Sequence, residues 1–446
     1  MANSEDHGRN WPSPLLWGVE RSRASAISVA VTRATVTTAI VTSATATLRA
    51  TGKNTTKNLD SENCTFTTTG KVFMVTPDSP SSGQSSSDIG TSDLSTIELG
   101  LLDLVPVSEG MTMSDALHAT IRSAQAAERA GYDRFWLAEH HNSQSLASSA
   151  TAIMIGQVAA ATHSVAVGAG GVMLPNHAPL HVAEEFGTLD ALYPGRIELG
   201  LGRAPGTDPM TAQALRRGKS DVPDFERDLA ELRRYMGPMA HRVNAFPGLR
   251  SHVPFFMLGS SENGAMIAAH AGLPFVFASH FAPFRLSTTL ETYRNNFVAG
   301  AYGDTADGDS VDGGGVGSGP AQSGAVSGSS LGKPHVTVGV NVMVAETEEK
   351  ARHLFTTHEQ SFYGIVTGTR GLFRPPKDVR DGNVMAWQQV DAALQVNAVG
   401  TPDQVKGKIA RIVQATGAQG VIASIYAFDV EDRVRAIEML GEALRS

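Results

Sequence analysis

Cysteine is all but missing from this chain. Cys64 stands alone among 446 residues, which excludes an internal disulfide and any cysteine-rich metal centre. Positive charge is not in excess either: 36 lysines and arginines against 44 acids leave a net charge of −8, with no electrostatic footprint for nucleic acid. No stretch offers about 18 uninterrupted apolar residues, so no membrane span is expected. The nearest candidate, residues 24–46, is cut by Arg33 and diluted with threonine and serine. A strand-linked Gly-x-Gly-x-x-Gly fingerprint followed by an acid is also missing, which argues against a Rossmann site for NAD(P)H. What remains, 41% hydrophobic and 18% charged residues, is the composition of a globular protein with room for one large domain or two.

The texture changes along the chain. Residues 1–95 are crowded with serine, threonine and alanine and show no sustained period; they read as a low-complexity, disordered N-terminal extension. Pro77–Ser92 has the make-up of a flexible linker. The part from Arg21 to Lys57 carries basic residues and no acid, faintly like a transit peptide. A disordered tail, or a true start near Met74, is the preferred reading, with a cytoplasmic location.

From Thr96 onward, strand-like segments alternate with helical ones. Strands are expected over 97–103, 134–138, 165–168, 197–201, 254–258, 275–278, 336–344 and 420–426. Helices are expected between most of them, the first capped by Thr112 or Ser114 and stopped at Gly131. Eight strand–helix units in about 350 residues suit a closed (β/α)₈ TIM-type barrel over 96–446 better than an open sheet. A flexible Gly/Ser-rich insert interrupts it at about 303–333, without the Gly-Lys-Ser/Thr ending of a phosphate loop.

Parallel strands put their carboxyl ends on one side of the sheet, where α/β proteins bind ligands. Three successive strand ends carry Glu139-His140-His141, Gly170-Gly171 and Arg203, so these groups converge on one pocket. Neighbouring residues of a strand face opposite ways, so one of His140 and His141 enters the pocket while the other packs. An imidazole there suits general acid–base work. No metal site is expected, because adjacent histidines chelate poorly and no third ligand presents itself. His177 and His181, with Glu184 and Glu185 beyond, read as solvated or capping groups around Pro179. Gly170-Gly171 offers either a tight turn or, through a strained or cis peptide, a flat surface for a planar ring. Arg203 with Ser260 and Ser261, ahead of a helix starting near Glu262, has the make-up of a phosphate cradle.

At these residues the chain closely resembles the bacterial luciferase-like flavin monooxygenases, in particular their non-luminescent oxidoreductase subgroup. The stretches that carry the likeness are Arg134–His141, Val167–Leu180, Tyr193–Asp208, Leu258–Ser261, Ala278–Pro283 and Val399–Pro402. It covers the chain from about Thr96 onward; residues 1–95 and the insert have no counterpart. The resemblance implies a barrel that binds reduced FMN at the carboxyl ends of its strands. It further implies His140 as the catalytic histidine, Gly170-Gly171 as a cis peptide beside the flavin, and Arg203, Ser260 and Ser261 as the phosphate site. The luciferase pattern has a glutamate where Ser260 stands. Asp103, Glu139 and His280 are further pocket candidates. The implied activity is oxygenation of a small organic substrate by O₂, with reduced flavin supplied by a separate flavin reductase, in a homodimer. The alternatives are a deazaflavin coenzyme used for hydride transfer on the same fold, and a non-catalytic flavin-binding protein.

Overall fold

The computed structural model describes residues 94–204, 206–215, 224–301 and 331–446. The expected extension up to residue 93, and residues 303–330 of the expected insert, lie outside the described residues.

Nine strands form: β1 (Glu98–Asp103), β2 (Arg134–Leu137), β3 (Ala166–Met173), β4 (Ile197–Gly202), β5 (Phe255–Gly259), β6 (Phe275–Phe277), β7 (Val336–Val344), β8 (Asn397–Gly400) and β9 (Gly420–Ser424). Eight of them close a ring, β1 to β7 in order, then β9 and back to β1. Every pairing is parallel. This is the expected (β/α)₈ barrel, and its eight strands are the eight read from the sequence. β8 was not foreseen; it pairs only with the far half of β7, at Asn341–Val344, outside the ring.

The surrounding helices are α1 (Met113–Arg129), α2 (Thr151–Ala161), α3 (Pro179–Leu192), α4 (Pro209–Leu215), α5 (Phe225–Met236), α6 (Glu262–His270), α7 (Leu286–Asn295), α8 (Glu348–Thr367), α9 (Val384–Ala393), α10 (Pro402–Thr416) and α11 (Val430–Arg445). Their ends follow local chemistry. Thr112 and Asp115 close a reciprocal capping box on α1, and Gly131 takes the left-handed conformation (φ 76°) just past its end. No helix among the described residues is long and apolar enough to cross a membrane.

Side-chain alternation sorts each barrel strand. Outward residues such as Leu99, Leu101, Phe135, Leu137 and Val167 are buried under the helices, each such side chain contributing roughly 1.5–3 kcal/mol. Inward residues stack in layers. At the amino-terminal end Arg134 pairs with Glu98 (2.7 Å) and Glu198 (3.2 Å). Above it Trp136 meets Phe256 edge-on, with ring centres 4.9 Å apart, among Leu102, Val276 and Ile422. Arg134 also lies over both aromatic rings, 5.7 and 5.4 Å from their centres. The barrel is thus plugged by charge and then by aromatic carbon, and its carboxyl-terminal mouth sits on an apolar floor.

One boundary differs from expectation in a way that matters. β3 continues through Gly170 and Gly171 to Met173, and its register to β4 shifts between Ala169 and Val172. The glycine pair lies inside the strand rather than after it.

Candidate active site

The same alternation that points Arg134, Trp136 and Ala138 inward continues past the end of β2 and carries His140 towards the axis. Its Nδ1 is buried without a hydrogen-bond partner. Burial pushes the imidazole down to about 4, with Arg370 and His141 acting in the same direction against the pull of Glu139. Opposite β2 in the eight-membered ring stands β6, and beyond its end lies the half-buried His280, whose Nδ1 is buried and also unpartnered. Burial lowers His280 to about 4, and repulsion from His140 when both rings are protonated adds to the effect. The two rings therefore share the mouth of the barrel as neutral imidazoles.

A third histidine, on α8, completes this wall. His358 is buried, bonds Asn341 Oδ1 through Nε2 (3.1 Å) and stacks on Tyr426, with ring centres 4.5 Å apart and planes 7° from parallel. Burial lowers it to about 3, with His280 adding to the effect. Asn341 Nδ2 in turn donates to the His280 carbonyl (2.5 Å). Sequence reading missed Asn341, His358 and Tyr426. For Asn341 there was a signal: it is the one amide in the apolar run of β7, at the inward parity of Gly339. His358 sits on a long mixed-polarity helix and gave none.

Arg203, at the end of β4, donates to Ser261 Oγ at 3.4 Å, and no acid pairs with it among the described residues. Ser261 is the N-cap of α6, its Oγ accepting from the Gly264 N–H (3.3 Å). The structure thus brings together an available guanidinium, a hydroxyl and a helix amino terminus, the elements of an anion site. Ser260 precedes it, half-buried. The loop after β4 lies against the loop after β2: Thr207 Oγ1 donates to the His141 carbonyl (3.4 Å) and Asn142 Nδ2 to Asp208 (3.2 Å). Arg203 and His140 accordingly belong to one end of the barrel.

Between them runs the peptide Gly170-Gly171, which is cis. Backbone packing demands glycine at 171, and side chains crowd position 170. A Cβ on Gly170 would lie 2.6 Å from Leu102 Cδ1, and one on Gly171 would lie 2.7 Å from the Gly200 carbonyl oxygen.

Two pocket candidates prove to be braces. Asp103 faces outward, opposite in parity to Leu102. Its Oδ1 accepts from the Val105 N–H (2.6 Å) and Thr120 Oγ1 (3.4 Å), and its Oδ2 pairs with Arg433 on α11. Glu139 also points off the axis. Its Oε1 accepts from His141 Nε2 (2.8 Å) and His177 Nε2 (2.9 Å), and its Oε2 from the Met173 N–H (3.1 Å). Burial would raise this carboxyl, but the bonds from His177 and His141 and the Met173 amide outweigh it and hold it below its usual range.

His177 was expected to be solvated or to cap a helix; instead it turns onto Glu139. With His141 it supplies the third ligand-type group that the sequence did not reveal, the three ligating atoms lying within 4.8 Å of one another. His181 behaves as expected, exposed and paired with Glu185 (3.1 Å).

Comparison with known proteins agrees with the barrel fold. The family described as luciferase-like monooxygenase matches residues 97–420. The luciferase-like monooxygenase of Escherichia coli K12 is 40% identical over 350 residues, spanning 77% of this chain and 96% of that protein. The crystal structure of apo-MsnO8 superposes with a TM-score of 0.67 at 32% identity, covering 78% of this chain and 98% of that one. The oxygenating constituent of 3,6-diketocamphane monooxygenase from Pseudomonas putida, solved with FMN, has a TM-score of 0.56 at 18% identity over 78% of this chain and 98% of its own. There the likeness concerns the fold alone.

Proposed function

The chain belongs to the luciferase-like monooxygenase family, and from that premise we propose that it is a flavin-dependent monooxygenase, using reduced FMN and O₂ to oxygenate a small organic substrate. The observation that supports this most is the arrangement around the barrel mouth. An inward imidazole with an unpartnered nitrogen stands after β2, and an arginine that pairs with no acid among the described residues stands after β4, beside a helix-capping serine. A backbone free of side chains, Gly170-Gly171, runs between them.

These residues fit a flat ring with a phosphate tail. Arg203, Ser261 and the amino terminus of α6 would hold the phosphate, since charge-assisted bonds of this kind contribute roughly 1.5–3 kcal/mol each. Backbone at 170–171 would border the ring. When bound, reduced flavin supplies the reaction with O₂, chemistry that side chains do not offer. The chain's own contribution is binding, orientation, exclusion of water and proton transfer. The Trp136–Phe256 floor closes the barrel from below. His140, neutral at physiological pH, would hold or move a proton at its unpartnered Nδ1. With no Rossmann fingerprint in the chain, reduced flavin would come from a separate reductase.

His140→Ala should keep FMN binding and lose most oxidation, on the order of 10²–10⁴-fold. The assay couples the protein to a flavin reductase with NADH and a panel of aldehydes, ketones and sulfur compounds, with oxygenated products sought by mass spectrometry. Full turnover by the variant would rule out this role for His140. Binding of a reduced deazaflavin with no oxygen uptake would favour hydride transfer instead, and peroxide without any oxidised product would favour a non-catalytic flavin-binding protein.

A further inference from the structure

Among the described residues, the buried carboxylates other than Glu139 each have an arginine at ion-pair distance. Asp103 has Arg433, Glu198 has Arg134 and Asp228 has Arg227. Glu139, only 2% exposed, has no lysine or arginine at ion-pair distance among the described residues. Its partners are two imidazoles, which carry charge only when protonated. A buried carboxylate without a permanent cation rests on its hydrogen bonds, and a bound cation would stabilise it further.

We propose that Glu139, His141 and His177 form a binding site for one divalent transition-metal ion. Two nitrogens and one carboxylate oxygen are the donor set of many zinc and non-haem iron centres. Calcium and magnesium, which take oxygen ligands, are disfavoured by the two imidazoles. The spacing fits. Glu139 Oε1 lies 2.8 Å from His141 Nε2 and 2.9 Å from His177 Nε2, close to the roughly 3 Å between adjacent ligands that each bind an ion at about 2.0–2.2 Å.

The surroundings resemble those of ligating carboxylates, which are themselves hydrogen-bonded. Met173 N–H fixes Oε2 at 3.1 Å, and Asn176 Nδ2 approaches Oε1 at 3.5 Å. The His177 side chain is 25% exposed and the His141 side chain 12%, so an ion can enter from the His177 side and keep further coordination positions there. Such an ion would join the loop after β2, which carries His140, to the loop after β3. None of the groups assigned to the flavin takes part, so the site stands or falls independently of the proposed activity.

The test uses the full chain, stripped with a chelator and dialysed. Cobalt(II) is then titrated in while its visible d–d absorption is followed, and zinc(II) is measured by equilibrium dialysis with elemental analysis. One equivalent of each metal is expected, together with a zinc-dependent rise in Tm. His141→Ala, His177→Ala and Glu139→Gln should each lose that equivalent and the rise, whereas His181→Ala and Arg203→Ala should keep both. If Glu139→Gln does not fold, the more exposed His177→Ala carries the comparison alone. No stoichiometric cobalt or zinc in the parent chain would overturn the proposal and leave Glu139 as a hydrogen-bonded clamp. Undiminished binding in His141→Ala and His177→Ala would overturn it too, by placing the metal elsewhere.

Discussion

Gly339 in β7 and His280 beyond β6 occupy one another's space: a Cβ on the glycine would stand 2.2 Å from the ring Nδ1. No side chain other than hydrogen fits there while the imidazole keeps its place. Gly339→Ala should therefore push the His280 ring away from the mouth it shares with His140, while Ser279 and Asn341 still tie β6 to β7 through bonds of 2.6 and 2.5 Å. The expected outcome is a folded protein with intact FMN affinity. Oxidation should fall by roughly 10²-fold, the scale of an ångström misplacement at a reacting centre. Reductase-coupled turnover beside an anaerobic FMN titration checks it, and unchanged turnover would show that the position of His280 is immaterial.

Arg203 separates binding from chemistry in the opposite sense. Among the described residues its side chain bonds Ser261 and pairs with no acid, so removing it breaks little that holds the fold. Arg203→Ala should weaken FMN by roughly ten- to a hundredfold, the equivalent of one charge-assisted bond, and leave Tm nearly unchanged. Ser261→Ala should cost less affinity but some stability, because it also removes the α6 cap, typically worth about 1 kcal/mol. Equal FMN affinity in Arg203→Ala and parent would move the phosphate site elsewhere.

How much of this was legible beforehand depended on whether a feature is local. The eight ring strands were, because apolar runs bounded by glycine and proline are short-range signals; β8, four residues long, was not. Parity could have said more than was drawn from it. Leu102 is an inward core residue, so Asp103 has to face the helices, where Thr120 and Arg433 meet it. His140 follows Trp136 and Ala138 on the inward face by the same count. The meeting of Glu139 with His177 was hidden, because 38 residues separate them and only the closing of β2 against β3 brings their loops together. His358 was hidden likewise, on a helix whose inner face the sequence pattern left undefined.

The polar plug at the closed end makes a stability prediction. Arg134 is buried and offsets Glu98 and Glu198, and Trp136 Nε1 also donates to Glu198 (2.5 Å). Arg134→Met would leave two carboxylates facing each other across the barrel floor with one indole N–H and His335 for company. Breaking a buried ion pair from one side typically costs about 3–5 kcal/mol, so a large fall in urea midpoint is expected. Adding Glu198→Gln to the same variant should recover part of the loss. A double variant no more stable than Arg134→Met would mean that the cost is packing rather than charge.

Acid sensitivity should trace to the buried imidazoles. His358 titrates at about 3 in the folded protein because burial disfavours its charged form, against about 6.5 in an unfolded chain. Between these values the unfolded state binds a proton that the folded state does not, so stability is complete above pH 6.5 and declines as pH falls towards 3. The slope from this ring is about 1.4 kcal/mol for each pH unit. His280, lowered to about 4, acts the same way over the narrower window from 6.5 to 4. His358→Gln removes one of these proton-linked groups. It should lower stability at pH 7.5, by losing the stack on Tyr426, yet unfold less steeply with acid than the parent. Urea midpoints measured from pH 7.5 to 4.5 give both slopes, and parallel lines for variant and parent would show that His358 is already protonated in the folded protein or does not titrate differently on unfolding.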